Sequence, residues 1–533
     1  MASGNGFLHA IYRSEITNSP LSLERGMNPV LIVGAGPTGL AHALWLTAQG
    51  IAVRIIDRTA EPGTTSRAVA VQARTLELYR QLGLSETVVA AGHRNPAMNI
   101  WARGEHRARL AFQEAGSDVS PYPFILLYPQ DFHERTLVDK LQTLGISVER
   151  QTELVSFLDH GDRIEATLRR QDGTEEIVES HFLSACDGAS STVRKQLNIG
   201  FEGGTYRQVF YVADVQLSDM KRGGEAHIAL DGGDFVAVLS YGDQGEARLI
   251  GTVRDDRLVQ GASLTFEDVG KDAINSLGVV VDQVHWFSHY RVHHRVADRF
   301  REGRVFLMGD AAHVHSPAGG QGMNTGILDA INLAWKFAAV LDGQASERLL
   351  ESYAIERQAF ARELVKTTDR VFTLMTAEGG FADVMRSYVM PMVASAIYKV
   401  RSARELLFRI VSQTSLAYAD SPLSVGKAGH ISGGERLPWV RTEGQDNYDT
   451  LTILSWQIHI YGERRSDVER WAAVRGIAVH VFPWTSAHAE AGFERDALYL
   501  LRPDTWVALA SSQATVEALD DYCQSHELFR NRS

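Results

Sequence analysis

The sequence predicts an α/β protein: a doubly wound, mostly parallel sheet, an antiparallel sheet inserted into it, and a smaller α/β unit near the C-terminal end. Three observations predict this. Residues 30–57 run strand, glycine turn, helix, strand and acid in order. Residues 201–289 alternate apolar and polar between turn residues. From residue 450 a strand–helix–strand pattern returns after a Gly-rich connector.

With 533 residues the chain exceeds what one core usually spans. The expected divisions are a flexible extension over 1–28, a nucleotide-binding domain over 29–200 and 290–350, and an inserted sheet over 201–289. A helical region over 351–424, a linker over 425–449 and a last unit over 450–533 follow.

Residues 30–33 are a continuous apolar run, as in a strand buried on both faces. "GAGPTG" follows. Gly34 allows a tight turn, Gly36 lets backbone approach a pyrophosphate, and Gly39 lets helix and strand pack closely. Leu40, Ala43, Leu44 and Ala48 continue at helical spacing, and Gly50 stops the helix. Residues 53–56 form the next strand, with Asp57 at its end, placed to accept bonds from a ribose. This fingerprint does not separate NAD from FAD.

Two later stretches repeat the device. "FLSACDGASSTVRK", residues 182–195, is an apolar strand ending in Asp187 and Gly188, with Arg194 beyond. "GRVFLMGDAAHVHSPAGGQGMNTGILDAINLAWKF", residues 303–337, has a buried strand, Asp310, a glycine-rich loop and a buried helix. In both, an acid stands at the carboxyl end of a strand, where open α/β sheets place ligands.

Together, "GAGPTG", "DGASSTVRK" and "GDAAHVHSPAGGQGMNTG" resemble the FAD-dependent class A aromatic hydroxylases, flavoprotein monooxygenases of the para-hydroxybenzoate and phenol hydroxylase type. The likeness covers roughly residues 29–420 and is closest to the longer members. It implies a Rossmann-like FAD-binding domain with a substrate-binding antiparallel sheet. It also implies roles. Gly34, Gly36 and Gly39, with Pro37 and Thr38, would hold the FAD pyrophosphate, and Asp57 with Arg58 the adenosine ribose. Arg67 and Gln130 would lie near the cofactor, and Asp187 and Gly188 would form the Asp-Gly motif. Asp310 would bind the ribityl or phosphate region, and Pro317, Gly319, Gly320, Gly322, Met323 and Asn324 would line the isoalloxazine ring. A helix starting near Met323 would aim free N–H groups at the ring. The implied reaction uses NADPH or NADH and O2 to hydroxylate a phenolic or polyketide-type aromatic through a flavin C4a-hydroperoxide. Baeyer–Villiger or epoxidising oxygenation on the same fold, and flavin binding without oxygenase activity, are the alternatives.

On "FVAVLSY", Phe235, Ala237, Leu239 and Tyr241 share one face by period-two alternation. Tyr241 is the candidate for orienting or deprotonating a phenol; Tyr211, His227 and His289 are comparable candidates. The C-terminal unit resembles the thioredoxin-like domain of the longer members but has no cysteine pair, so packing or subunit contact, such as a homodimer, is expected of it.

The net charge of −12 argues against nucleic acid. His285, His289, His293, His294, His313 and His315 have no HExxH or carboxylate spacing, so no metal site is expected. No run of 18 apolar residues occurs, and none of membrane-spanning length is expected. Cys186 and Cys523 form no CxxC, which points to a reducing compartment, the cytoplasm.

Overall fold

The computed structural model describes residues 29–63, 68–218, 224–231, 234–242, 244–253, 264–269, 271–316, 320–376, 392–393 and 398–529. The nucleotide-binding sheet is built around β1 (Val30–Val33), every residue of which is buried. Four apolar residues without alternation need cover on both faces, and only a central strand has it. The helix α1 (Pro37–Ala48) follows, with Pro37 in its first turn, where a missing N–H costs nothing. β2 (Val53–Asp57) and β3 (Leu183–Ala185) then pair with β1 in parallel, one on each side.

The chain next leaves this sheet for another. β4 (Phe201–Leu217), β5 (Asp234–Ser240), β6 (Glu246–Val253) and β7 (Val281–Ala297) are its main strands. In space β7, β4, β6 and β5 lie side by side, all antiparallel. Among the described residues the sheet has eight strands, and two of them, Ala97–Ala102 and Glu105–Ala111, come from residues expected in the nucleotide-binding domain. Ala97–Ala102 joins parallel to Ala226–Asp231, a pairing across more than a hundred residues that no local pattern announces.

The chain returns through β8 (Val305–Leu307), parallel to β3. The helix α2 (Gly322–Leu341) then crosses the sheet beside α1. Their close approach depends on Gly309 and Gly326: a Cβ at either would collide with the side chain of Thr38. α3 (Glu351–Thr376) and α4 (Arg401–Val411) complete the helical layer.

Residues 425–428 and 431–432, expected within a linker, are strands of a last six-stranded sheet, and Val425–Ala428 pairs with Val507–Ser511. This unit is welded to the rest through buried charge. Arg502 reaches Glu356 of α3 at 2.7 and 3.1 Å, and Lys336 of α2 reaches the same carboxylate at 2.8 Å. The Trp335 indole donates to Asp504 at 2.9 Å, and Arg74 lies 4.0 Å over the Trp506 ring. Among the described residues, no helix is long and apolar enough to cross a membrane.

Candidate functional site

The three motifs meet at the carboxyl ends of β1, β3 and β8. Gly34 has φ +104°, and a Cβ there would collide with the Cys186 carbonyl of the second motif. A Cβ at Gly39 would collide with the Gly34 carbonyl. At Gly36 a Cβ would meet nothing within 4 Å. The outer two glycines therefore serve packing, and the middle one faces open space at the N-terminus of a 12-residue helix. That is a cradle for a pyrophosphate. Asp57 steadies it: its Oδ2 accepts from the Ala35 N–H at 2.7 Å and its Oδ1 from Thr59 at 2.8 and 2.7 Å. A carboxylate has about four lone-pair sites, so room remains for a ribose hydroxyl. Arg58 beside it is exposed.

Asp187 caps a short helix, accepting from the Thr192 and Val193 N–H groups through Oδ2 at 2.7 and 3.2 Å. Its Oδ1 is buried without a partner, which suits a donor brought by a ligand. Gly188 has φ +79°. Arg194 ties this motif to the third by donating to the Ala311 carbonyl at 2.8 Å. Asp310 sits in a single helical turn, Gly309–Ala311, with its side chain exposed. The chemistry of Gly36, Asp57 and Asp187 thus fits a dinucleotide cofactor.

Beneath this turn lies a hub that the motifs do not announce. Asp329 of α2 is fully buried; it accepts from the Gly309 N–H at 3.0 Å, meets the His313 ring at 2.7 Å and takes Arg357 Nε at 2.6 Å. Burial alone would raise its pKa, but Arg357 and His313 outweigh that and hold it below the usual range. Arg357 donates onward to the Tyr418 hydroxyl at 2.9 Å and the Thr325 carbonyl at 3.1 Å. The signal was available: Thr325, Asp329, Asn332 and Lys336 make a polar stripe along a mostly apolar helix, and all four are buried.

The helix near Met323 begins at Gly322. Gly320 has φ +61°, and a Cβ there would press on Ala70. Asn324 is fully buried: its amide donates to the Ala70 and Gly320 carbonyls at 2.9 and 3.0 Å, and its oxygen accepts from Gln72 N–H and Thr75 at 2.9 and 2.8 Å. Its side chain thus ties Gly320 and the first turn of α2 to residues 70–75. The Met323 side chain packs on the main core. Gln130 accepts from the Ala68 N–H at 3.3 Å and donates to Glu134 at 2.8 Å. Arg67, Pro317 and Gly319 lie outside the described residues.

The large sheet has two unlike faces. Tyr211, Ala213, Val236, Val238 and Leu249 pack against the helix Lys271–Ser276. Leu239 and Tyr241 face the other way, against Val69, Ala70, Phe112, Ile125 and Phe408. Of the four substrate candidates, Tyr241 alone lies on the face toward the nucleotide-binding motifs. Tyr211 is fully buried on the opposite face, His227 takes a bond there from the Trp101 indole at 3.1 Å, and His289 pairs in register with Tyr211. On the Tyr241 face stands a partly buried ion pair: the buried Arg248 donates to both oxygens of the half-buried Asp214 at 2.8 Å and to the Ala68 carbonyl at 3.0 Å. The Tyr241 ring lies 6.0 Å from the guanidinium. Burial, then Asp214, push the tyrosine hydroxyl above its ordinary range.

Among the described residues, no three His, Cys, Asp or Glu side chains gather as a metal-holding group. Residues 27–368 match a family described as the FAD binding domain. The chain is 39% identical over 415 residues to 6-methylpretetramide 4-monooxygenase of Streptomyces rimosus, covering 76% of this chain and 72% of the relative. It is 33% identical over 428 residues to pentachlorophenol 4-monooxygenase of Sphingobium chlorophenolicum, covering 77% and 75%. Among solved structures, an anhydrotetracycline hydroxylase from Streptomyces rimosus superposes with a TM-score of 0.76 at 26% identity, over 94% of this chain and 99% of that one. The rebeccamycin biosynthetic enzyme RebC, solved with reduced flavin, gives the same TM-score, identity and coverage.

Proposed function

Because this chain belongs to the FAD binding domain family and is an FAD-dependent monooxygenase, we propose that it hydroxylates a fused-ring, polyketide-sized hydroxyaromatic, with NAD(P)H as reductant and O2 as oxygen donor. One observation carries the choice of substrate size. The sheet face bearing Tyr241 is broad and apolar: Ile100, Ile228, Ala237, Leu239 and Ile250 stand on it, in register across four strands. A single phenol ring would leave much of that wall wet, whereas a fused-ring system covers it. The relatives named for 6-methylpretetramide and anhydrotetracycline support the same reading.

The residues divide the work. Backbone at Gly34, Gly36 and Gly39, with Pro37 and Thr38 opening the helix, would hold the pyrophosphate, and Asp57 the ribose, with Arg58 and Arg67 flanking. Gln130, Asp187, Gly188 and Asp310 would hold the rest of the FAD. Pro317, Gly319, Gly320 and Gly322 would leave the ring bare of side chains, with Met323 and Asn324 fixing the helix behind it. The N–H groups that open α2 would favour negative charge on the ring's near edge. The chemistry that FAD supplies when bound is reduction by NAD(P)H and activation of O2. The protein orients the aromatic ring and keeps water out, and the apolar contacts of Val69, Ala70, Phe112 and Phe408 serve that exclusion.

For the C-terminal unit we keep the thioredoxin-like reading. Its supports are the strand order of residues 507–511, 498–501, 457–461 and 478–482 and the helices between and after them. Packing is its role, since Cys523 is buried and alone there. A homodimer and a cytoplasmic setting complete the proposal.

The test is purification followed by assay. The protein should be yellow, release FAD on denaturation, and oxidise NAD(P)H faster with hydroxylated anthraquinones or tetracyclines than with phenol. Stimulation by phenol alone would overturn the substrate size, and colourless protein that takes up no FAD would overturn the whole reading.

A further inference from the structure

An ion pair in an apolar substrate wall needs a reason. Buried pairs seldom stabilise a fold more than apolar residues of the same size. Arg248 is 1% exposed and lies on the wall face, between Asp214 of β4 and the Ala68 carbonyl. Among the described side chains of β4, β5 and β6, it is the Lys or Arg on that face. Both oxygens of Asp214 are drawn to it in a fork, so its charge is answered from within the protein.

Tyr241 stands next to this pair. The groups acting on its hydroxyl are, after burial, Asp214, Arg248 and Glu246, so two acids stand against one base. The hydroxyl remains a neutral phenol that donates to Asp214, which leaves its oxygen to accept a bond from a substrate hydroxyl. Among the described side chains of β4, β5 and β6, a carboxylate arriving here would meet no cation but Arg248, already held by Asp214, and would face Asp214. Losing its water without a partner is costly.

We infer that the Asp214–Arg248 pair and Tyr241 make this a site for uncharged hydroxyaromatics, with the Tyr241 oxygen accepting from a substrate hydroxyl and aryl carboxylates refused. The inference rests on the reading of this face as the substrate wall. It adds a rule of charge to the rule of size. Asp214 acts as a positioning residue, by neutralising Arg248, and Tyr241 as the group that touches substrate.

The experiment compares matched pairs on the FAD-loaded full chain. 1,8-Dihydroxy-3-methylanthraquinone is set against the same molecule with a carboxyl in place of its methyl group, and 4-methylphenol against 4-hydroxybenzoate. Binding is read from perturbation of the flavin spectrum, and turnover from stimulated NAD(P)H oxidation. The neutral member of each responding pair should bind about 100-fold more tightly, the scale of an unpartnered buried charge. Tyr241→Phe should raise KM for the neutral member about 5-fold, the worth of one hydrogen bond, with little change in the carboxylate's. Asp214→Asn, which frees the charge on Arg248, should narrow the gap within each pair, and thermal melting and FAD content confirm that the variant is folded. Equal binding of both members by the wild type, or an unchanged gap in a folded Asp214→Asn variant, overturns the inference while leaving the monooxygenase reading intact. If no member of any pair perturbs the flavin, the substrate wall itself is misread and the inference falls with it.

Discussion

Gly34 and Gly36 stand two positions apart, yet their substitution should fail in different ways. Alanine at Gly34 meets the Cys186 carbonyl and requires a left-handed backbone, so it should cost about 3 kcal/mol of stability. Alanine at Gly36 points into open space, so the FAD-free protein should keep its melting temperature while FAD affinity drops. Equal losses of stability in the two variants would contradict the division of roles. Asp310→Ala removes an exposed side chain and should leave folding unchanged while FAD dissociates faster during gel filtration; full retention of FAD would contradict the assignment. The three glycines were legible because a fingerprint turn is a local conformational demand. Asn324 was legible as a position but not in its contacts. Its four hydrogen bonds go to residues some 250 positions earlier or one turn back, and spacing carries no record of them.

Gly320 and Asn324 show at the scale of the element how the start of α2 is anchored. Gly320 lies against Ala70, and Asn324 clamps the first turn of α2 to residues 70–75. Asn324→Ala would leave the Gln72 N–H buried without its acceptor, and should cost about 2–3 kcal/mol and loosen FAD together. Chemical denaturation with and without FAD checks this, and a variant as stable as wild type would show the clamp to be dispensable. Strand and helix boundaries near the motifs follow from residue patterns, as with the helix that starts at Gly322. The strands at 97–111 do not, since their place in the large sheet depends on a partner at 226–229.

For the whole molecule, burial of histidine sets a limit in acid. His42 and His133 are fully buried, and burial lowers each from 6.5 to about 4. The unfolded chain takes up these protons below pH 6.5, and the folded chain does so only near pH 4. Each histidine therefore adds stability that is full above pH 6.5 and is lost as pH falls toward 4, with a slope of up to about 1.4 kcal/mol per pH unit. Urea titrations at several pH values should show this slope, and His42→Gln should reduce it. A slope that His42→Gln leaves unchanged would place the acid sensitivity elsewhere. The C-terminal unit shares the molecule's fate through Arg502, which is held by Asp504 within the unit and by Glu356 across the junction.

The sequence by itself determined the opening unit of the nucleotide-binding fold: a strand, a glycine turn, a helix and an acid are local, and their order along the chain is their order in space. The alternation over residues 235–241 likewise determined which side chains travel together. Only the tertiary structure decided which face of that sheet packs against Val69 and Ala70 and which meets the helix Lys271–Ser276, because an alternating pattern is equally consistent with burial on either side. It also decided that Asp329 and Arg357 brace the Asp310 turn, and that Asp214 neutralises Arg248. Charged pairs across 28 and 34 residues carry no periodic signature, and their meaning arises only when folding removes the water between them.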